Sequence, residues 1–351
     1  MFGNETLAGV VGFEPTIHGT KNRCLTTWLH PNSEAQDLHK VRPSWQQPSL
    51  DFDHHCRKQR PNNAHRRNFM SKRPPKAYNN KAFMDAPAGR PLRILAEYME
   101  PMNRLHDHNI LDMIVFFGSA RAPSPEQADS MRKELDHDLT AERRLHLERK
   151  LSLAPAYEKT RKLAQLLAEW SQDIAQKRGE QGQRFAIVTG GGPGIMEAAN
   201  RGAHEAGLPS IGMSIALEHE AEPNPYISEG LNFEFHYFFM RKFWLTYLSK
   251  AIVVCPGGLG TIDEFFEIIT LLQTKKINRA FPILVLGKEH WQDLINFDAM
   301  VARGVINRED MDLFTMTDDV EEGFQWLKDQ LSGWALDHPG AGMSEEDLSI
   351  I

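Results

Sequence analysis

From about residue 110 onward, short apolar blocks alternate with longer stretches whose apolar positions recur every three or four residues. Met113–Phe117, Phe185–Thr189, Ser210–Ile215, Ala251–Cys255, Pro282–Leu286 and Leu313–Met316 are continuously apolar or nearly so. That is the pattern of strands covered on both faces. Between them the helical period predicts helices over Leu92–Arg104, Ile195–Ala206, His236–Ser249, Ile262–Thr274, Trp291–Ala302 and Val320–Leu331, with two more in 125–178 separated by Pro155. An acidic, proline-bearing loop is expected from about Leu217 to Asn232.

Helices inserted between buried strands predict an α/β fold: a Rossmann-like, doubly wound, mostly parallel sheet with helices on both faces. Ligands of such sheets bind beyond the carboxyl ends of the strands, so the loops after strands are where chemistry is expected.

Residues 1–90 do not share the pattern. Prolines interrupt every candidate element, and 14 Lys/Arg stand against 7 Asp/Glu. This stretch is expected to be disordered or a spurious extension, with synthesis starting at Met70. Residues 91–333 are then a single domain and 334–351 a polar tail. Asp53-His54-His55-Cys56 spells the protein S-acyltransferase signature. That enzyme needs a cysteine-rich zinc module and membrane helices, so the match is read as chance.

Beyond residue 90 the balance turns acidic, 26 Lys/Arg against 40 Asp/Glu, which argues against nonspecific nucleic-acid binding. No apolar run approaches the roughly 18 residues of a membrane span and no secretory leader opens the chain, so a cytoplasmic protein without a membrane partner is expected. Cys24, Cys56 and Cys255 are too scattered for a disulfide framework. No HExxH or similar spacing occurs, so neither a metal nor a cofactor is expected.

Two glycine-rich loops fall at the expected edge. Gly190-Gly191-Gly192-Pro193-Gly194 follows a strand and opens a helix, where close backbone approach and unpaired N–H groups suit a phosphate. A plain tight turn is the alternative. It is neither the GxGxxG fingerprint nor a Walker loop, which disfavours hydride transfer and nucleoside triphosphate hydrolysis. The second loop, Pro256-Gly257-Gly258-Leu259-Gly260-Thr261-Ile262-Asp263-Glu264, has the same strand–helix context, and Gly118-Ser119 ends the first strand as a third wall. Thr261-x-x-Glu264 also fits a capping box, which competes with a chemical role for Glu264. Arg241-Lys242 is a cationic pair in an aromatic run, either an exposed pair or an arginine turned into the cleft to grip phosphate or carboxylate.

Taken in order, the first glycine loop with Ile195–Asn200, then Arg241-Lys242, then the PGGxGTxxE loop at Pro256–Glu264 resemble the Lonely Guy (LOG) family over about Met113–Leu286. The resemblance implies a phosphoribohydrolase that cleaves the N-glycosidic bond of a nucleoside 5'-monophosphate, AMP or a cytokinin riboside 5'-monophosphate, to free base and ribose 5-phosphate. It implies a small-molecule nucleotide substrate and a homodimer or higher homo-oligomer. It places the catalytic arginine and glutamate on Arg241 and Glu264, and phosphate-binding positions on Gly257, Gly258, Gly260 and Thr261. Phe238 stands where shorter members have methionine, and 125–178 is longer than theirs; both features resemble the longer bacterial branch. A non-catalytic nucleotide or pterin-phosphate carrier is the competing function. Lysine decarboxylase, a label attached to the family, finds no lysine in a pyridoxal-phosphate setting.

Overall fold

The computed structural model describes residues 73–179, 182–216 and 222–340, all within the unit Arg73–Ile351. The Asp53–Cys56 tetrapeptide, the Met70 start and part of the acidic loop lie outside the described residues. Order begins before residue 91: a 3-10 turn at Ala77–Asn79 and α1 (Lys81–Asp85) precede α2 (Arg90–Asp107). No described helix is long and apolar enough to cross a membrane.

The sheet has seven strands in the order β4-β3-β2-β1-β5-β6-β7. They are β1 (Met113–Phe117), β2 (Ala186–Thr189), β3 (Ser210–Ile215), β4 (Asn232–Phe235), β5 (Ser249–Val254), β6 (Ile283–Leu286) and β7 (Thr315–Thr317). Every pairing is parallel. The chain winds outward from β1 to one edge, returns to β5 on the other side of β1, and winds outward again. The crevice at that reversal is where a doubly wound sheet binds its ligand.

Each strand's apolar run divides between two cores. Met113, Val115 and Phe117 of β1 face a layer with Trp244, Phe265 and Trp291, whereas Ile114 and Phe116 face one with Tyr157, Leu167 and Ile195. Burial on both faces removes the polar alternation of a one-sided strand. Helices α7 (Phe238–Tyr247), α8 (Leu259–Gln273), α9 (Lys288–Leu294) and α10 (Phe297–Ala302) supply the first layer with α2. The second comes from α5 (Ala154–Arg178), α6 (Ile195–Glu205), α11 (Val320–Leu331) and α12 (Trp334–Asp337).

Local chemistry explains where elements differ from expectation. Residues 125–178 form three helices: α3 (Pro125–Leu135) behind a Ser124–Gln127 capping box, α4 (Ala141–Leu151) behind Thr140, and α5, which carries Pro155 in its first turn. The expected Trp291–Ala302 helix is two, because Ile295 is extended and Asn296 caps a new start by accepting from Ala299 N at 2.9 Å. Strand β4 was not expected; it is an edge strand in which only Phe233 and Phe235 are buried. Beyond Gly333, α12 docks Ala335 and Leu336 into the core.

The amino ends of the strands hold a buried ionic cluster. Asp112 pairs with Arg184 and lies 3.4 Å from Lys250 Nζ, and all three side chains are fully buried. Arg184 Nη2 donates to Ala335 O at 2.6 Å, tying α12 down. Burial pulls the Lys250 ammonium down to about 8 despite Asp112, with Arg279 adding to the depression. An unfolded lysine keeps its proton to about 10.5, so between pH 8 and 10.5 unfolding takes up a proton and stability rises with pH. Wild type should therefore gain about 3 kcal/mol of stability relative to Lys250→Met across that window. Urea unfolding at stepped pH measures it, and a pH-independent difference would contradict it.

Candidate active site

Three strand-end loops are knitted by backbone hydrogen bonds. Cys255 N donates to Phe117 O at 2.8 Å, Ser119 N to Pro256 O at 3.0 Å, and Ile195 N to Ser119 O at 2.9 Å, joining the ends of β1 and β5 to the start of α6. Gly194, at φ +73°, packs directly on Ser119 O, and a Cβ there would stand 2.7 Å from the Ala120 carbonyl carbon. Only glycine can make this turn at that separation.

Behind the first glycine loop, buried polar side chains hold the backbone. Thr189 Oγ1 accepts from Gly191 N at 2.9 Å and donates to Asn200 Oδ1 at 2.6 Å. Asn224 Nδ2 lies within 3.0 Å of Gly191 O, Gly192 O and Asn200 Oδ1. The carbonyls of Gly191 and Gly192 are thus satisfied from within the protein.

Over these loops lies a cavity of about 720 Å³, within the roughly 300–1,000 Å³ range of small-molecule sites. Of the residues the sequence singles out, Gly118, Ser119, Gly190, Arg241, Gly257, Gly258, Gly260, Thr261 and Glu264 line it. Gly191, Gly192 and Gly194 do not; they shape the turn behind it. Arg121 and His290 also line the cavity and were missed by sequence reasoning. His290 falls between the strand expected to end at Leu286 and the helix expected to begin at Trp291, where no motif singles it out.

Arg241 and Lys242 both reach from α7 to α8, but to different carboxylates. Arg241 Nη2 donates to Glu264 Oε1 at 3.0 Å, with its guanidinium carbon 5.3 Å from the centre of the Phe238 ring. Its Nε is buried without a partner among the described residues, the kind of unmet donor that calls for a functional explanation. Lys242 Nζ reaches Asp263 at 2.8 Å and Glu267 at 2.7 Å, fastening α7 to α8. Burial pulls the Lys242 ammonium down, but those carboxylates more than offset it and hold the group above its ordinary range.

The expected capping box is not formed. Helix α8 begins at Leu259 behind Gly258 with no side-chain cap, so Glu264 lies beyond the first turn and turns to Arg241 instead. At 7% exposure Glu264 is buried but sits on the cavity wall. Burial raises its carboxyl above the usual range, against the opposing pull of Arg241 and Lys242. The arrangement offers a basic carboxylate, a guanidinium and a rim of backbone N–H groups to one ligand.

Residues 196–327 match a family model described as "Possible lysine decarboxylase". A protein of Oryza sativa subsp. japonica named "Probable cytokinin riboside 5'-monophosphate phosphoribohydrolase LOG4" is 27% identical over 138 residues, 39% of this chain. The resemblance to the Lonely Guy family holds. The chain spans 59% of that LOG protein's length. As for the decarboxylase label, no lysine is among the residues that line the cavity. Among solved structures, a molybdenum cofactor binding protein from Rippkaea orientalis gives a TM-score of 0.37 at 14% identity, covering 63% of this chain and 96% of its own. The molybdenum cofactor carrier protein of Chlamydomonas reinhardtii gives 0.37 at 17%, covering 63% and 99%. Likenesses of that size say nothing about ligand or reaction, and the fold assignment rests on the seven-stranded sheet itself.

Gly194→Ala should cost more than about 2 kcal/mol, since it adds both a left-handed alanine and a backbone clash. Gly258→Ala, at φ −111° with nothing within 4 Å of the added Cβ, should leave the melting temperature nearly unchanged. Thermal unfolding of the two variants measures the contrast, and equal melting temperatures would contradict it.

Proposed function

We propose that the protein hydrolyses the N-glycosidic bond of a nucleoside 5'-monophosphate, AMP or a cytokinin riboside 5'-monophosphate, to free base and ribose 5-phosphate. The observation that carries the reading is the pairing of the buried Glu264 carboxylate with Arg241 on the wall of a cavity rimmed by strand-end glycine backbone. The LOG resemblance and the name of the rice relative point the same way.

The chemistry follows from the residues. The start of α8, with Gly258, Gly260 and Thr261 at the cavity, presents unpaired N–H groups and the positive end of the helix dipole to the 5'-phosphate. As the C1'–N bond breaks, its electron pair leaves with the base and the sugar gains oxocarbenium character. Ionised Glu264 stabilises that charge or takes the proton of the water that adds to C1'; the base is protonated as it departs. Arg241 favours the ionised form of the buried carboxylate before substrate enters and offers its guanidinium to the phosphate or the leaving base when substrate is bound. One such electrostatic group contributes on the order of 2–4 kcal/mol.

Incubation with AMP should release adenine and ribose 5-phosphate, read by chromatography. Glu264→Gln, which keeps the shape and removes the charge, should lower kcat by about 10²–10³-fold. Turnover of AMP at the wild-type rate by that variant would exclude Glu264 as the catalytic carboxylate.

The raised Glu264 carboxyl has a further consequence for the free enzyme. Because the ionised form is the active one, kcat/KM should fall as pH drops through a midpoint above 4.5, the ordinary glutamate value. An acid limb at or below that value would show that Glu264 titrates as an exposed group.

A further inference from the structure

A glycine-glycine peptide in an anion cradle has an inherent ambiguity. With no Cβ on either side, the unit can turn over at little steric cost, and because the peptide is planar its C=O and N–H point in opposite directions. One orientation offers an approaching phosphate an N–H donor. The other offers a carbonyl oxygen, which repels it. The Gly257–Gly258 peptide lies in the loop that opens α8, and nothing crowds Gly258, whose added Cβ would meet no atom within 4 Å.

His290 is the side chain that reaches this unit. It lies in the first turn of α9, on the adjacent strand-end loop, and its Nε2 is 3.1 Å from Gly257 O and 3.3 Å from Gly257 N. The ring is set edge-on against Trp291, with centroids 5.2 Å apart, and Trp291 is fully buried in the core. On another side of Gly257 the Thr261 side chain fills the space a Cβ would need. Gly257 is therefore clamped between a core-anchored imidazole and the first turn of α8. Gly257 N–H points at the same nitrogen, so only one of the two contacts is a hydrogen bond at a time: an Nδ1–H ring accepts from Gly257 N–H, whereas an Nε2–H ring donates to Gly257 O, the shorter contact, and so turns Gly258 N–H the opposite way.

We propose that His290 is a positioning residue of the phosphate cradle: by holding Gly257 O it fixes the Gly257–Gly258 peptide with its N–H, rather than its carbonyl, presented to the substrate's phosphate. This deepens the reading of the same site and rests on a phosphate binding at the start of α8. The imidazole acts before chemistry, on affinity, and takes no part in breaking the glycosidic bond.

Two substitutions separate this role from simple packing. His290→Phe keeps the ring and its contact with Trp291 but cannot hydrogen-bond; His290→Gln keeps a donor near the Nε2 position. The phenylalanine variant should raise KM for AMP and the inhibition constant of inorganic phosphate by about tenfold, with kcat within about twofold of wild type. The glutamine variant should restore most of the affinity. Should the phenylalanine variant fail to fold, His290→Asn, polar but too short to reach Gly257, replaces it with the same expectation. Calorimetric binding of AMP in the Glu264→Gln background reads the effect without turnover. Unchanged phosphate and AMP affinity in the phenylalanine variant, or a glutamine variant as weak as phenylalanine, overturns the proposal, as does a wild-type protein that binds neither ligand. AMP binding that is lost in His290→Phe but never followed by adenine release would overturn the hydrolase reading and leave the role of His290 standing.

Discussion

A carboxylate taken almost wholly out of water must be compensated, and for Glu264 the direct partner is one guanidinium 3.0 Å away, with the Lys242 ammonium adding a longer-range pull. Desolvating an ion costs several kcal/mol after relaxation, and such partners repay that only when the geometry is held firmly. Much of the surrounding structure serves that geometry. Lys242 binds Asp263 and Glu267 and so fixes α7 against α8, the two helices that carry the pair. The residual imbalance is what raises the Glu264 carboxyl, and a raised carboxyl is a stronger base than an exposed one.

The two edges of the sheet divide their work. At the amino ends, Asp112, Arg184 and Lys250 are sealed from solvent and engaged with one another and with the carbonyls of α12, an arrangement that fixes how this last described helix docks. At the carboxyl ends, polar groups face a cavity and leave donors for a ligand. The parallel sheet enforces this polarity, since every described strand ends on the same side, where α6, α7, α8 and α9 begin without a side-chain cap on their N–H groups.

The strands that are buried on both faces could be read from sequence because a continuous apolar block bounded by glycine or proline has few other uses. β4 could not: four residues with two buried phenylalanines merge into the aromatic run of α7. The break at Ile295-Asn296 lay inside an uninterrupted helical period and became visible only through the Asn296 cap. Arg241 and Glu264 were recognisable by resemblance, yet spacing alone favoured a capping box for Glu264. Its actual partner comes from 23 residues away, which no local rule registers. The glycines of the first loop show a related limit, since a glycine that faces a ligand and one that faces a neighbouring backbone, as Gly194 does, look alike in sequence.

Arg241 reaches the crevice by a particular route. It belongs to a helix launched directly from β4, the outermost strand on its side, whereas Glu264 follows β5, next to the centre. The edge strand is held by one neighbour, the central one by two. The guanidinium therefore follows a strand with a partner on one side only, and what secures it is the rest of α7: Trp244, fully buried in the core, and the Lys242 bridges to α8. The counter-charge in the crevice thus depends on how one helix packs rather than on the ladder of the strand that precedes it.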